Sequence, residues 1–496
     1  MRILLISPPF YRIIGFYNRY FPYGITVLGT VLAHNQHQVK IYDADFYENP
    51  KNIDYARLPE KYPSYLKSFA DKENRVWREV RQTIADFKPG IVGISVFTTF
   101  AASAFYVAQI TKELFPSCPV IFGGPHAAVK PEEILQICPH VDYVIRGEGE
   151  LTLQELVQYI ETGSPHLTAI DGLSMREPSG IRHNKERASV RDIDTIPIPD
   201  RGLLMNEKKY SPEDMGMIMT SRGCPYNCTY CASGKHVSYR SPDNVLEEIM
   251  MVHEKYRTTQ FTFKDDSFTV NRKRVEELCH KILQKKLHIN WECNTRADLI
   301  DGALLNLMKK SGCNFIKIGI ESGSEKILGA MNKKISLSLS RKIAPMLRKS
   351  GIHWTGYFLI GVPGETVEDI NKTVQFMREL NPDTALLGVY EPFPGTVMFE
   401  DGIRRKLVKK DMRLEDFYAT SPNNYYKADP HIQTDTIAPD TFAEIEKQAK
   451  KIFHRHNVGL KKVFKAALSR SKAYIKEPVL LAGDIKKFLA YTFSSP

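Results

Sequence analysis

No run of this sequence reaches the ~18 consecutive apolar residues that a membrane-spanning helix needs, which excludes a helical span. The apolar opening Met1-Arg-Ile-Leu-Leu-Ile-Ser7 stops at Pro8-Pro9, too short for a signal peptide, and reads as a buried first strand. Cysteine is sparse. Of eight in 496 residues, five (Cys118, Cys138, Cys279, Cys293, Cys313) are scattered and read as small buried hydrophobes rather than an oxidised framework. A cytoplasmic location is therefore expected. Acid is missing from one place: between Lys447 and Lys476 there are ten Lys or Arg and no Asp or Glu. Nearly all of the net charge of +11 lies there, whereas a nucleic-acid-binding domain would spread its basic face through the fold. No nucleic-acid partner is expected. What remains, 43% hydrophobic and 25% charged, is the composition of a globular chain with room for two or three domains.

The other three cysteines stand together. Ser221-Arg-Gly-Cys224-Pro-Tyr-Asn-Cys228-Thr-Tyr-Cys231 spaces its thiols Cys-x3-Cys-x2-Cys, in a loop after an apolar strand expected over Met215 to Thr220. Three thiolates can hold a [4Fe–4S] cluster, which normally takes four, and leave one iron open to an exogenous ligand. The other reading of the same thiols is structural zinc, with His236 near enough in sequence to be the fourth ligand.

Ahead of this loop, short apolar strands alternate with helical segments, the pattern of a doubly wound parallel sheet. Strands are expected at Arg2 to Ser7, Gln38 to Asp43, Ile91 to Ser95, Val120 to Gly123 and Tyr143 to Arg146. Ligands in such sheets bind beyond the carboxyl ends of the strands. There lie Ser95 to Phe100, Gly123-Gly124-Pro125-His126-Ala127 and Arg146-Gly147-Glu148-Gly149-Glu150. A polar stretch broken by Pro197 and Pro199 reads as an interdomain connection. From Met215 to Pro394 strand and helix repeat six times, short of the eight in a closed barrel, which predicts an open (β/α)6 barrel. Each predicted strand ends in a distinctive polar group: the cysteine loop, Asp265-Asp266, Arg296, Glu321-Ser322, Gly361 to Glu365 and Glu391. The domain layout is residues 1–165, a linker over 166–210, the barrel over 211–400 and a basic helical region over 401–496.

The cysteine spacing, with Arg-Gly ahead and Tyr230 before the last thiol, resembles the signature of the radical S-adenosylmethionine (SAM) superfamily. With the Gly-Gly-Pro-His and Gly-Glu-Gly-Glu turns upstream, the chain resembles class B radical SAM enzymes, which carry a cobalamin-binding domain. The resemblance implies an α/β fold, with a Rossmann-like cobalamin domain before the barrel. It implies a [4Fe–4S] cluster on Cys224, Cys228 and Cys231, with SAM on the open iron. Glu321 and Ser322 would touch SAM, with Asp265, Asp266 and Arg296 nearby. The Gly361 loop would back the adenine, and Tyr230 would shield the cluster or pack on the adenine. Ser95, Gly123, Gly124, His126, Gly147 and Glu148 would line the cobalamin. The Asp-x-His-x-x-Gly motif is absent, so a histidine on the lower face of cobalt is not expected; His126 would contact the corrin edge. No side-chain acid or base is required.

The reaction so implied is methylation of an unactivated carbon, through a 5′-deoxyadenosyl radical and methylcobalamin. Cyclisation or rearrangement with the same cofactors stands as the alternative, and a cobalamin or iron–sulfur sensor as the reading outside enzymes. The expected partners are a small-molecule substrate and an electron donor such as flavodoxin or ferredoxin. In the tail, Leu460, Val463, Phe464, Ala467 and Leu468 share one helical face. That helix either meets an anionic membrane through 447–476, pointing to a lipid-like substrate, or docks on its own barrel.

Overall fold

The computed structural model describes residues 1–16, 20–46 and 61–458. Strand β1 (Arg2–Ser7) is buried from Ile3 to Ile6, as a central strand covered on both faces must be. Helix α1 (Tyr23–His34) leads to β2 (Gln38–Asp43), and α2 (Tyr62–Ala70) and α3 (Arg75–Phe87) lead to β3 (Ile91–Ser95). Neither α2 nor α3 is among the expected elements, although α3 turns Val76, Val80, Ile84 and Phe87 inward at helical spacing. Then follow α4 (Ala101–Leu114), β4 (Val120–Gly123), the short α5 (Pro125–Val129) and α6 (Pro131–Ile137), β5 (Tyr143–Ile145) and α7 (Glu150–Thr162). The parallel order β2-β1-β3-β4-β5 is flavodoxin-like, as the doubly wound reading requires.

The stretch expected as linker holds more structure than its polarity suggests. Strands β6 (Leu173–Glu177) and β7 (Gly180–His183) form an antiparallel hairpin that widens the N-terminal sheet to seven strands. Leu173, Ser174 and Met175 are buried against the sheet edge, while β7 is largely exposed and so reads as polar sequence. From Asn184 to Gly216 there are only short helical turns, in keeping with Pro197 and Pro199.

The barrel starts at β8 (Met217–Ile218), after which β9 (Ser221–Arg222) pairs antiparallel with β10 (Ser238–Tyr239). It continues through α8 (Pro242–Tyr256), β11 (Gln260–Phe263), α9 (Arg272–Gln284), β12 (Asn290–Thr295), α10 (Gly302–Lys310) and β13 (Cys313–Glu321). The last turns are α11 (Glu325–Ala330), α12 (Leu337–Ser350), β14 (His353–Ile360), α13 (Val367–Leu380) and β15 (Thr384–Val389). Six parallel strands lie in the order β15-β14-β13-β12-β11-β8, the open (β/α)6 sheet expected.

Helices α14 (Val397–Arg404), α15 (Leu414–Ala419) and α16 (Pro439–Asn457) follow. They form no separate hydrophobic unit. Phe399, Val408, Met412, Phe417, Tyr425 and Tyr426 join the core of the N-terminal sheet, whereas Ile437, Phe442, Ala449 and Phe453 join that of the barrel. The amphipathic tail face from Leu460 to Leu468 lies outside the described residues. No helix among the described residues is long and apolar enough to cross a membrane.

A buried polar knot joins the two sheets. Glu248 of α8 takes Arg201 Nη2 at 2.7 Å, Arg240 Nη1, and Tyr23 Oη at 3.3 Å from α1, with neither Arg201 nor Glu248 side chain exposed. One apolar cluster runs past it, from Ile25, Val27 and Leu32 of α1 into the barrel.

Candidate functional site

Strands β9 and β10 form the neck of a loop that carries all three clustered cysteines. Gly223 enters it at φ +76°, where a Cβ would fall 2.1 Å from the carbonyl oxygen of His236. Cys224 N donates to Gly234 O at 2.8 Å and closes the loop. The far side is pinned from the barrel: Thr229 N donates to Met331 O at 3.0 Å and Thr229 Oγ1 to Ala330 O at 2.8 Å. The three thiols are free and half-buried. Burial pushes the Cys224 thiol up, and Asp266, Cys231 and Cys228 add to the effect. Among the described residues no three His, Cys, Asp or Glu groups gather on a single ion. A structural zinc would need a fourth ligand, and His236, the one near enough in sequence, is exposed. Three free thiols in one anchored loop match the thiolates a [4Fe–4S] cluster takes, one on each of three irons.

Asp265 and Arg296 brace this loop. Asp265 is fully buried; its Oδ1 accepts from Thr220 N at 2.6 Å and Ser221 N at 3.1 Å, its Oδ2 from Thr220 Oγ1. Arg274 Nη2 lies 3.6 Å away, and burial still raises the carboxyl's pKa. All of this capacity holds the strand entering the cysteine loop. Asp266 beside it is exposed. Arg296 stacks 3.5 Å above the Tyr226 ring, with Asp298 at 3.0 Å and Lys333 O at 2.9 Å fixing the guanidinium.

Glu321 ends β13 at a register shift, with φ +67°. Its Oε1 accepts from Lys333 Nζ at 2.8 Å, and Lys333 also donates to Tyr230 Oη at 3.2 Å. Gly319 leaves the space for this pair, since a Cβ there would come 2.2 Å from Glu321 Oε1. Burial, then Glu321 and Cys228, push the Tyr230 phenol far up, so it is neutral. Lys333 and Gly319 were not foreseeable: Asn332-Lys333-Lys334 reads as a solvated helix end. Ser322 points away into the core and bonds Thr373 Oγ1 at 3.0 Å and Ser324 N at 3.1 Å. Gly361 N donates to Glu365 Oε2 at 2.5 Å; Glu365 is fully buried, its Oε1 has no partner, and burial pushes its pKa up to about 7.

At the carboxyl edge of the N-terminal sheet, Ser95 and Gly124 meet: a Cβ on Gly124, at φ +96°, would lie 3.0 Å from Val96 N and 3.2 Å from Ser95 Oγ. Gly123 and Gly147 face open space, with nothing within 4 Å of an added Cβ. His126 is buried, its Nδ1 3.1 Å from Thr98 Oγ1 and its Nε2 without a partner; burial pushes its pKa down to about 3, so the ring is neutral. Glu148 accepts from Val190 N at 2.7 Å and faces Arg222 at 3.5 Å. The carboxyl edges of the two sheets thus meet. The turn after β5 touches the cysteine-loop neck, and Gly395, after β15, packs on Val129 of α5. Glu391, after β15, has Tyr62 and Lys427 as electrostatic neighbours, and burial pushes its pKa up to about 7.

The donor set fits the implied cofactors: thiols for a cluster, an open glycine-lined edge for a corrin, and a Glu–Lys–Tyr group beside the cysteines for SAM. Two family models match the chain, the radical SAM superfamily over residues 218–377 and the B12 binding domain over residues 13–157. An uncharacterized methyltransferase of Pyrococcus horikoshii is 34% identical over 417 residues, 82% of this chain and 84% of that protein. The anaerobic magnesium-protoporphyrin IX monomethyl ester cyclase of Rubrivivax gelatinosus is 29% identical over 65% of this chain, but the match spans only 60% of that protein. In fold, the chain is similar to the radical SAM methyltransferase TsrM of Kitasatospora setae, solved with cobalamin and a [4Fe–4S] cluster. The TM-score is 0.67 at 18% identity, covering 90% of each chain.

Proposed function

Since the chain belongs to the class B radical SAM family, we propose that it is a cobalamin-dependent radical SAM methyltransferase that methylates an unactivated carbon of a small molecule. The observation that supports this reading is the meeting of the two carboxyl edges, where Arg222, two residues before the first clustered cysteine, faces Glu148, next to the open Gly147. Bound cofactors would supply the hard chemistry: the cluster with SAM a hydrogen-abstracting radical, cobalamin the methyl group.

The chain's own residues position and enclose. Cys224, Cys228 and Cys231 would hold the cluster, on a loop fixed by Asp265, Arg296 and the end of α11. Glu321, oriented by Lys333, offers a carboxylate for the cationic amine or ribose hydroxyls of SAM. The half-buried Tyr230 would shield the cluster from water. Ser95, Gly123, Gly124, Gly147 and His126 would shape the cobalamin bed, with Thr98 holding His126. Asp266, which is exposed, would meet SAM, and Gly361, held by Glu365, would back the adenine. Asp265, Ser322 and Glu148, through the bonds they already make, are assigned to positioning.

The substrate proposed is lipid-like; Phe97, Phe393 and Val397 are exposed in the segments that follow β3 and β15. The reductant would be a small electron carrier such as flavodoxin or ferredoxin. Anaerobic reconstitution with SAM, a reductant and an extract fractionated for substrate tests the reading. 5′-Deoxyadenosine and S-adenosylhomocysteine should appear together, and replacing any one of the three cysteines by Ala should abolish both with the iron absorbance. 5′-Deoxyadenosine alone would favour cyclisation, and retained zinc with no iron uptake would defeat the reading.

A further inference from the structure

Arg222 stands two residues before the first cluster cysteine, yet its side chain belongs to the other domain. The guanidinium lies 2.5 Å from Glu150 Oε1 and 3.5 Å from Glu148 Oε1. Glu150 is the first residue of α7, where a helix N-terminus favours an anion. Its carboxylate is buried and Oε2 has no partner, so Arg222 is the cation that balances it. Glu148 is held in turn: Oε2 accepts from Val190 N at 2.7 Å, and Val190 O accepts from Ser238 Oγ at 2.9 Å. Ser238 is the ladder partner of Arg222 in the β9–β10 neck. The circuit closes on itself, through the turn after β5, the segment leading to the barrel, and both strands of the neck.

We propose that Glu150, with Glu148, is a positioning residue for the cysteine loop: the N-terminal domain grips the loop's neck through Arg222, so that domain docking fixes the loop and sets the charge beside the thiolates. The grip itself stands on geometry alone; its effect on a cluster rests on the function proposed above. Breaking a buried pair leaves an uncompensated charge, whose cost loosens what the pair held. A positive charge near an iron–sulfur cluster favours its reduced, more negative form.

The first test uses the full-length, metal-free chain and hydrogen exchange. In Glu150→Gln the amides of residues 223–237, Cys224 above all, should exchange about tenfold faster while those of β1, β3 and β13 keep their rates. Unchanged exchange in 223–237, or an equal rise throughout, overturns the grip. Should Glu150→Gln not accumulate as folded chain, Glu150→Asp, which shortens the reach and keeps the charge, reads the same amides.

The second test measures the midpoint potential of the reconstituted cluster. Glu150→Gln leaves Arg222 facing only Glu148 at 3.5 Å and should raise the potential. Arg222→Gln leaves two glutamates and should lower it, and Arg222→Lys should restore most of it. A neck that is merely loosened would shift both neutralising variants the same way, which overturns the charge-setting role. If the chain takes up no iron, the cluster reading fails, while the exchange experiment still decides the grip.

Discussion

Beside the cysteine loop, Lys333 and Glu321 are charged, nearly buried and paired, so their energetics are those of breaking a pair. Lys333 and Glu321 are nearly enclosed, with side chains 7% and 11% exposed. Lys333→Met should cost about 3 kcal/mol in urea unfolding, because it strands the Glu321 carboxylate. Glu321→Gln added to it should recover most of that loss, and a double-mutant cycle checks the coupling. Glu365 sets a pH dependence. Its carboxyl is raised to about 7 in the fold from 4.5, so the folded state binds the proton more tightly. The stability this contributes is full below about pH 4.5 and is lost as pH rises through 7, by up to about 3 kcal/mol. Glu365→Gln should therefore gain stability over the parent chain between pH 5 and 8, measured by denaturant titration at each pH; a pH-independent difference would refute it.

At the scale of elements, the open barrel has an edge to protect. Strand β15 is an edge of its six-stranded sheet, and α16 covers it. The last residue of α16, Asn457, pairs its side-chain amide with β15 as a neighbouring strand would: Ala385 N donates to Asn457 Oδ1 at 2.8 Å, and Asn457 Nδ2 donates to Ala385 O at 2.9 Å. Asn457→Ala should cost about 1–3 kcal/mol by leaving both backbone groups without partners. Phe453, one turn earlier, meets Phe358 edge-on at 5.3 Å, and Phe453→Ala should cost about 3–5 kcal/mol. Thermal or urea unfolding of the full chain measures both. Central strands of the N-terminal sheet were legible as continuous apolar runs, and barrel strands such as β12 and β15 as alternation of buried and less buried positions. Helix α3 carried an equally readable period, and β7 carried none, since its residues face water.

For the whole molecule, the Tyr23–Arg201–Arg240–Glu248 knot decides whether the two sheets act as one body. It draws on α1, the connecting segment and the barrel, and it is buried alongside a continuous apolar cluster. Glu248→Ala strands two arginines and should cost about 3–5 kcal/mol. Because the knot joins both parts, unfolding should stay a single transition that moves down as a unit; separate transitions for the two parts would contradict this. The C-terminal segment adds to the union, with α15 against α2 and α4 and α16 against α13 and β15.

By itself the sequence determined the two α/β layers and the grouping of three cysteines in one loop. Burial period and loop spacing are local properties of the chain, set before any distant residue arrives. Only the tertiary structure decided which charges meet. Lys333 reaches Glu321 and Tyr230, Arg222 reaches Glu150, and Asp265 turns inward to the strand before the cysteines. Partners so far apart along the chain leave no periodic trace, and a charged residue reads as solvated until a fold removes the water from around it.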